Sequence, residues 1–538
     1  MHLVVALWVC GALLVVLLGF QQRKCWRLIW QLSGWRGVVQ QPLLWFLLCI
    51  NLHPDSILER VTQLRIYFRR PLGIILGTRV LVYIDDPADM ESILNAPECL
   101  DKSFLQDGFF ANRGLLHARG QRWKLRRKQL NPAFGHNIVA SFFDVFNSVG
   151  NQLVEQFKLD PNLHGKGIKY TDAEDLLSRA VLEVSCMTIM GTQTNFTEID
   201  DDHIAHSYKR LLEISAVRVV KPWLQVGMLQ RLLAPDLYAE SQKCNKLLED
   251  FVGDIVRNKH RNWRLRETAG EDVPSGGGWQ RRIFIEQIFQ LAANGEMTLE
   301  EIMDEAQSMV LVSFETVSNS IMLALLCLAT NRGECRQRLK AEIAAVVPEN
   351  GGGYVGLEQL QQLRYLDAFV SESLRLLATV PMNLRHVSRD FQLPGREAIV
   401  PQNSIVVLDT FNMQRDERWW GATARQFDPQ RFLDQDQDQD ESSKQQPKDQ
   451  SQAKKEPLTR RHSYSFLPFS KGLRSCIGRR YGLFIMKVFL VKLLASFDFH
   501  SDFQLENLQF VENISLKFRN VEDIYLDIQP HSLSKDFI

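Results

Sequence analysis

From about Asp55 onward the apolar positions repeat mostly at helical spacing, and only a few short stretches alternate as strands do. The clearest helical run opens at Thr298-Leu-Glu-Glu301, where a threonine and a glutamate three residues on can satisfy the free N–H groups of a first turn. It stays apolar to about Thr330. A second run covers Gly478 to Phe497, with Tyr481, Phe484, Val488, Leu490 and Leu494 on one face. Shorter helices are predicted around Trp123–Arg127, ahead of Asn131-Pro132, and around Glu372–Arg375, ending before Pro381. Strand-like stretches lie at Ile74–Tyr83, Ala398–Val407 and near Ile514–Ile528. This pattern predicts a mainly α fold with small β-sheets.

Three segments break it. Glu267–Gly278, with Pro-Ser-Gly-Gly-Gly, predicts a surface loop, and Gly351–Gly353 a turn that lacks the Lys-Ser/Thr of a phosphate-binding loop. Asp434–Lys455 is rich in Asp, Gln and Lys with almost nothing apolar to bury, which predicts a disordered insertion. At the N-terminus Leu3–Phe20 is almost wholly apolar and would reach about 27 Å as a helix, enough to cross a bilayer core. Arg23, Lys24 and Arg27 follow it and no basic residue precedes it, so the rest of the chain is expected in the cytosol. A cleaved signal peptide is the rival, but it calls for a basic leading region and a shorter apolar core. The expected organisation is an anchor over 1–22, a linker or interfacial segment over 23–54 (Leu43–Ile50 is too short to span) and a single catalytic unit over 55–538.

Composition narrows the function classes. The 538 residues carry 63 Lys+Arg against 63 Asp+Glu, a balance that argues against a nucleic-acid binder. The 9 cysteines are scattered with no C-x-x-C pair, which suits a reducing compartment rather than a disulfide framework or a zinc site.

One cysteine stands apart. Cys476 lies in Phe469-Ser-Lys-Gly472-Leu-Arg474-Ser-Cys476-Ile-Gly478, just ahead of a long apolar helix. A helix N-terminus favours a thiolate. Gly472 and Gly478 permit positive φ and close approach to a flat macrocycle, Arg474 has the fork to hold a carboxylate, and Phe469 can pack under a ring. An ordinary buried cysteine would need none of these neighbours. The spacing Phe-x-x-Gly-x-Arg-x-Cys-x-Gly resembles the haem-binding loop of cytochrome P450s, in which a cysteinate pushes electron density onto iron and favours O–O cleavage.

Further motifs carry the same resemblance. Val312-Ser-Phe-Glu315-Thr316 stands where P450s usually have Ala/Glu-Gly-x-Asp-Thr, which implies that Thr316 and Glu315 handle protons at the oxygen site. On residues alone, Thr316 bonded to its own helix and an exposed Glu315 would serve as well. Ser313 replaces the usual glycine and puts a side chain where oxygen is expected. Val312 replaces the glutamate through which the fatty-acid ω-hydroxylase branch can ester-link haem, so no covalent haem link is expected. Glu372 and Arg375 match Glu-x-x-Arg, and Arg431 in Phe427-Asp-Pro-Gln-Arg-Phe completes the implied structural triad, with Gln430 in place of the usual Glu. Trp123, Arg127 and Arg385 match positions that reach haem propionates, and Gly114 to Phe134 looks like the ω-hydroxylase branch. Gly482 and Ile485 depart from the residues usual after the loop.

The resemblance implies a P450 fold, with haem b between a long central helix and the cysteine loop. It implies an anchored enzyme of the endoplasmic reticulum membrane that uses O₂ and electrons from NADPH–cytochrome P450 reductase, with cytochrome b5 as a second candidate donor. Lys124, Arg126, Lys128, Lys471, Arg479 and Arg480 would surround the thiolate side and steer an acidic partner. Ser103–Phe110 is expected to line a pocket for a lipophilic substrate such as a fatty acid, terpenoid or steroid. The Ser313 departure keeps two alternatives open: an oxygen-independent isomerase or dehydratase on the same fold, and a low-turnover haem or ligand-binding protein.

Overall fold

The computed structural model describes residues 53–531 apart from 68–70, 77–78, 110–112, 161–166, 197–202, 270–282, 332, 348–352, 396–398 and 434–461, together with strand β1 (Val38–Val39). The anchor, the 43–50 patch, the Asp/Gln-rich insertion, Gly351 and Gly352, and the loop beyond Ala269 lie outside the described residues.

The helices that build the site are α1 (Pro54–Tyr67), α2 (Gly120–Leu130), α3 (Phe143–Leu159), α4 (Tyr170–Ser185), α5 (His203–Val220), α6 (Leu299–Thr330), α7 (Arg364–Leu376) and α8 (Arg479–Ser496). The capping box forms as expected: Thr298 Oγ1 accepts from Glu301 N at 3.2 Å and Glu301 Oε2 from Thr298 N at 3.1 Å. From that start α6 runs unbroken through the core, packed by α4, α7 and α8. Its apolar residues are buried on nearly every side, which is what an all-round apolar helix requires in water. Among the described residues it alone is long and apolar enough to cross a membrane, and 78% of its most apolar stretch is buried in the protein.

The predicted strand at 74–83 is a hairpin of β2 (Leu72–Leu76) and β3 (Arg79–Ile84). With β4 (Met382–His386) and β5 (Ile405–Asp409) it forms a five-stranded sheet in the order β1-β2-β3-β5-β4. Period-two burial puts Val80, Val82 and Ile84 into a small core with Val406 and Leu408. The C-terminal strand signal resolves into a tight hairpin, β6 (Phe510–Asn513) and β7 (Ser515–Phe518), and a later strand, Tyr525–Pro530. The hairpin docks on the helices: Leu516 N donates to Thr379 O at 2.8 Å and Asn319 Nδ2 to Leu516 O at 2.9 Å. Helix α6, the 469–478 loop, the sheet and the hairpin all border one cavity of about 580 Å³.

Candidate functional site

The 469–478 loop is closed by backbone hydrogen bonds. Cys476 N donates to Phe469 O at 2.9 Å and Ser475 N to Gly472 O at 3.2 Å. Gly472 has φ 71, and a Cβ there would meet Leu94 O at 2.3 Å, so the glycine serves close approach to the chain itself rather than to a macrocycle. Gly478 corrects the other half of that expectation: its φ is −88, and it lines the cavity at the start of α8. The Cys476 thiol faces the cavity. Burial raises its pKa, contrary to the lowering expected from the helix terminus, while the Gly478 N–H, Arg127 and Arg479 pull the other way.

The bases expected at the haem carboxylates converge on this cavity. Trp123, Arg127, Arg385 and Arg474 all line it, as does Phe469. Arg474 stacks on Trp123 at 4.8 Å and donates to Ala118 O. Lys102 and His117 are among the further bases that line it and were not anticipated. Burial and then mutual repulsion pull these groups down. Arg474 falls to about 9, with Arg385 as the next cause, and His117 to about 3, with Lys102 and Arg474 behind burial. Arg385 falls to about 10 through burial alone, which Cys99 opposes, and Lys102 falls far below its usual value. Arg474 Nε and both ring nitrogens of His117 have no hydrogen-bond partner among the described residues. Buried arginines around a large cavity, Arg474 with a spare Nε–H, and a thiol on its wall fit a flat prosthetic group that carries carboxylates.

On α6, Thr316 lines the cavity and its hydroxyl donates to Val312 O at 2.7 Å. Glu315 takes a different place from the one expected. It does not line the cavity; it accepts from Ser515 Oγ at 2.7 Å and pairs with Lys517 Nζ at 3.1 Å, so it ties α6 to β7. Burial would raise its pKa, but Lys517 and Ser515 outweigh that and hold it below the usual carboxylate range. Glu315 is thereby held away from the cavity wall on which Thr316 lies. Ser313 does line the cavity, and its hydroxyl donates to Ser185 Oγ on α4 at 2.7 Å. The nearby Tyr481 hydroxyl lies 2.7 Å from Thr188 Oγ1.

Beneath the loop, Glu372 and Arg375 form a bidentate pair at 2.7 and 2.8 Å, both side chains 0% exposed. Arg431 Nε reaches Glu372 Oε1 at 3.4 Å and its Nη2 donates to Thr423 O at 2.6 Å. Arg375 also donates to Gln414 O at 2.7 Å and Ala424 O at 2.6 Å. Gln414, which carried no motif signal, links this cluster to the cysteine loop, since its Oε1 accepts from Leu467 N at 2.7 Å. Gln430 accepts from Arg338 at 3.0 Å, outside the triad.

Of the bases expected on the thiolate side, Lys124, Lys128, Arg479 and Arg480 are exposed and Lys471 is half-buried. Arg126 is the exception. It is buried against α6, paired with Glu301 and 4.0 Å from Glu305. Of Ser103–Phe110, Phe104, Leu105, Gln106 and Phe109 line the cavity, and Phe110 lies outside the described residues.

Comparison with known proteins agrees with this geometry. The cytochrome P450 family model matches residues 38–518. The chain is 78% identical to "Probable cytochrome P450 318a1" of Drosophila melanogaster over 98% of this chain and 99% of that one. It is 31% identical to "Probable cytochrome P450 313b1" of the same organism, over 95% and 97%. "Cytochrome P450 4d2" is 26% identical over 91% and 93%, a more distant match than those two.

Proposed function

This chain belongs to the cytochrome P450 family, whose members are haem-thiolate monooxygenases, and from that premise we propose that it oxygenates a lipophilic substrate and that Cys476 would hold haem b through its thiolate. The observation that carries the proposal is the Cys476 thiol opening into a cavity ringed by Arg127, Arg385, Arg474 and Lys102. When bound, haem supplies the oxygen activation, which a cysteinate ligand favours. Arg127, Arg385 and Arg474 take the propionates, and Trp123 keeps the Arg474 guanidinium in plane by stacking. Thr316 donates its own proton to Val312 O, which leaves its lone pairs able to accept from a water or substrate group in the cavity. Glu315 steadies the β6/β7 hairpin from the other side of α6. The Glu372–Arg375–Arg431 cluster is structural and holds the loop through Gln414. Val312 carries no carboxyl, so haem is held without an ester link.

Electrons come from NADPH–cytochrome P450 reductase, or cytochrome b5, at the exposed bases Lys124, Lys128, Arg479 and Arg480. The apolar run at Leu3–Phe20 anchors the chain in the endoplasmic reticulum membrane, with the catalytic unit in the cytosol. The test is a reduced-CO spectrum of the full chain. It should give the red-shifted Soret band of a thiolate-ligated haem, and Cys476→Ser should remove it. With reductase and NADPH, product should appear only with O₂. Product formed without O₂ would favour an isomerase or dehydratase, and the absence of bound haem would refute the proposal outright.

A further inference from the structure

The cavity holds one group that haem does not explain. Every charged residue lining it among the described residues is basic except Glu512, on strand β6. Glu512 Oε2 is fully buried and has no hydrogen-bond partner among the described residues. The nearby Asp409 carboxylate is already satisfied, by Tyr83 and Asn412. A buried polar atom left unpaired is costly, so it marks a place where something else completes the bond. Arg127, Arg385 and Arg474 already offer the carboxylates of haem their partners, so Glu512 is left over once haem is placed.

The hairpin that carries Glu512 is built to hold it still. Asn513 and Ser515 pair across a turn made by Ile514 alone, at φ 72. A β-branched residue in the left-handed region is strained, and such strain persists where the surroundings over-determine it. They do so here: β7 is bonded to Thr379, Asn319 and Glu315, and Ile514 itself lines the cavity. The other walls, including Ile57, Val61, Leu72, Met382 and Val407, are apolar.

Resting on the monooxygenase reading above, we propose that Glu512 selects the substrate: its carboxyl hydrogen-bonds a hydroxyl or carbonyl oxygen of an uncharged lipophilic molecule at that end of the cavity. Burial, and then Asp409, pushes the Glu512 pKa up to about 8, so at neutral pH the side chain is mostly the neutral acid, able both to donate and to accept. A site whose buried polar group needs a partner discriminates strongly against a ligand that lacks one.

The test titrates the haem-loaded full chain with dodecanol and dodecane and follows binding-induced shifts of the haem spectrum. Wild type should bind the alcohol about tenfold tighter than the alkane, the order expected of one buried hydrogen bond. Glu512→Leu should bring the alcohol to within about twofold of the alkane. Glu512→Gln, which keeps a donor and an acceptor, should keep the alcohol within about twofold of wild type. The reduced-CO band checks the fold of each variant, and if Glu512→Leu fails that check, Glu512→Gln alone decides. Unchanged alcohol binding in Glu512→Leu, or an alcohol bound no more tightly than the alkane in Glu512→Gln, overturns the proposal. Such a result with O₂-dependent turnover intact would sink this inference alone; the expected binding pattern without turnover would sink the monooxygenase reading alone.

Discussion

A carboxyl buried without full compensation makes stability depend on pH, and Glu305 is such a group. It is 2% exposed and accepts from Leu115 N at 2.8 Å, while Arg126 stands 4.0 Å away. Burial raises its pKa from 4.5 to about 7, against the opposing pull of the Leu115 N–H and Arg126. Between those values the folded chain keeps a proton that the unfolded chain has released, so this group's contribution to stability falls as pH rises through the window and its full penalty is present above 7. Glu305→Gln keeps an acceptor for Leu115 and removes the titration. It should raise stability at pH 8 by about 1–3 kcal/mol and leave pH 5 nearly unchanged, read from urea unfolding at both pH values. Equal gains at both would show that Glu305 does not titrate in this range. At Ser313 the question is catalytic. Its hydroxyl is tethered to Ser185 at the cavity wall, where the resemblance calls for no side chain. Ser313→Gly should therefore increase product formed per NADPH consumed. An equal or lower ratio would mean that the serine does not hinder oxygen.

At the scale of elements, the cysteine loop is held from two sides, by the buried triad through Gln414 and by Gly472 against Leu94. Removing one partner of a buried pair strands the other charge. Glu372→Ala should cost about 3–5 kcal/mol and yield chain without the thiolate-haem band. Gln414→Leu leaves Leu467 N unsatisfied and should cost about 1–3 kcal/mol, weakening the band rather than abolishing it. Parallel CO spectra and thermal melts of the two variants rank these effects, and the reverse order would refute the role given to Gln414. What was legible beforehand follows the range of each signal. The capping box, the apolar faces of α6 and α8 and the i,i+3 spacing of Glu372 and Arg375 are local, so those elements could be placed to within a residue or two. The lining residues Cys476, Arg474, Trp123, Arg127 and Arg385 were legible through motif spacing. The contacts that motif spacing did not show are long-range: Glu315 meets Ser515 200 residues on, and Ser313 meets Ser185 across 128. Arg126 turning inward to α6, Gln414 under the loop and Glu512 in the wall depend likewise on which elements pack together. No local periodicity encodes that.

The whole molecule is neutral on balance, yet its bases are unevenly placed. Inside, Lys102, Arg385 and Arg474 crowd one cavity, and carboxylates there would relieve their mutual repulsion. Removing haem should therefore lower the melting temperature. A double Arg385→Leu, Arg474→Leu chain should melt higher than wild type when both lack haem, while losing haem uptake; a lower melt would mean that these arginines are already compensated by the protein. Outside, Lys124, Lys128, Arg479 and Arg480 come from α2 and the start of α8, the two helices whose other residues, Trp123, Arg127 and Tyr481, line the cavity. Exposed charges act on encounter more than on affinity, and their reach shrinks to about 10 Å at 0.1 M salt. Lys128→Glu combined with Arg480→Glu should slow reduction by the reductase about tenfold at low salt, and the deficit should close as salt is raised, with the CO band intact. A deficit that salt leaves untouched would mean that the substitutions damaged a packed contact, and the donor surface would then have to lie elsewhere on the molecule.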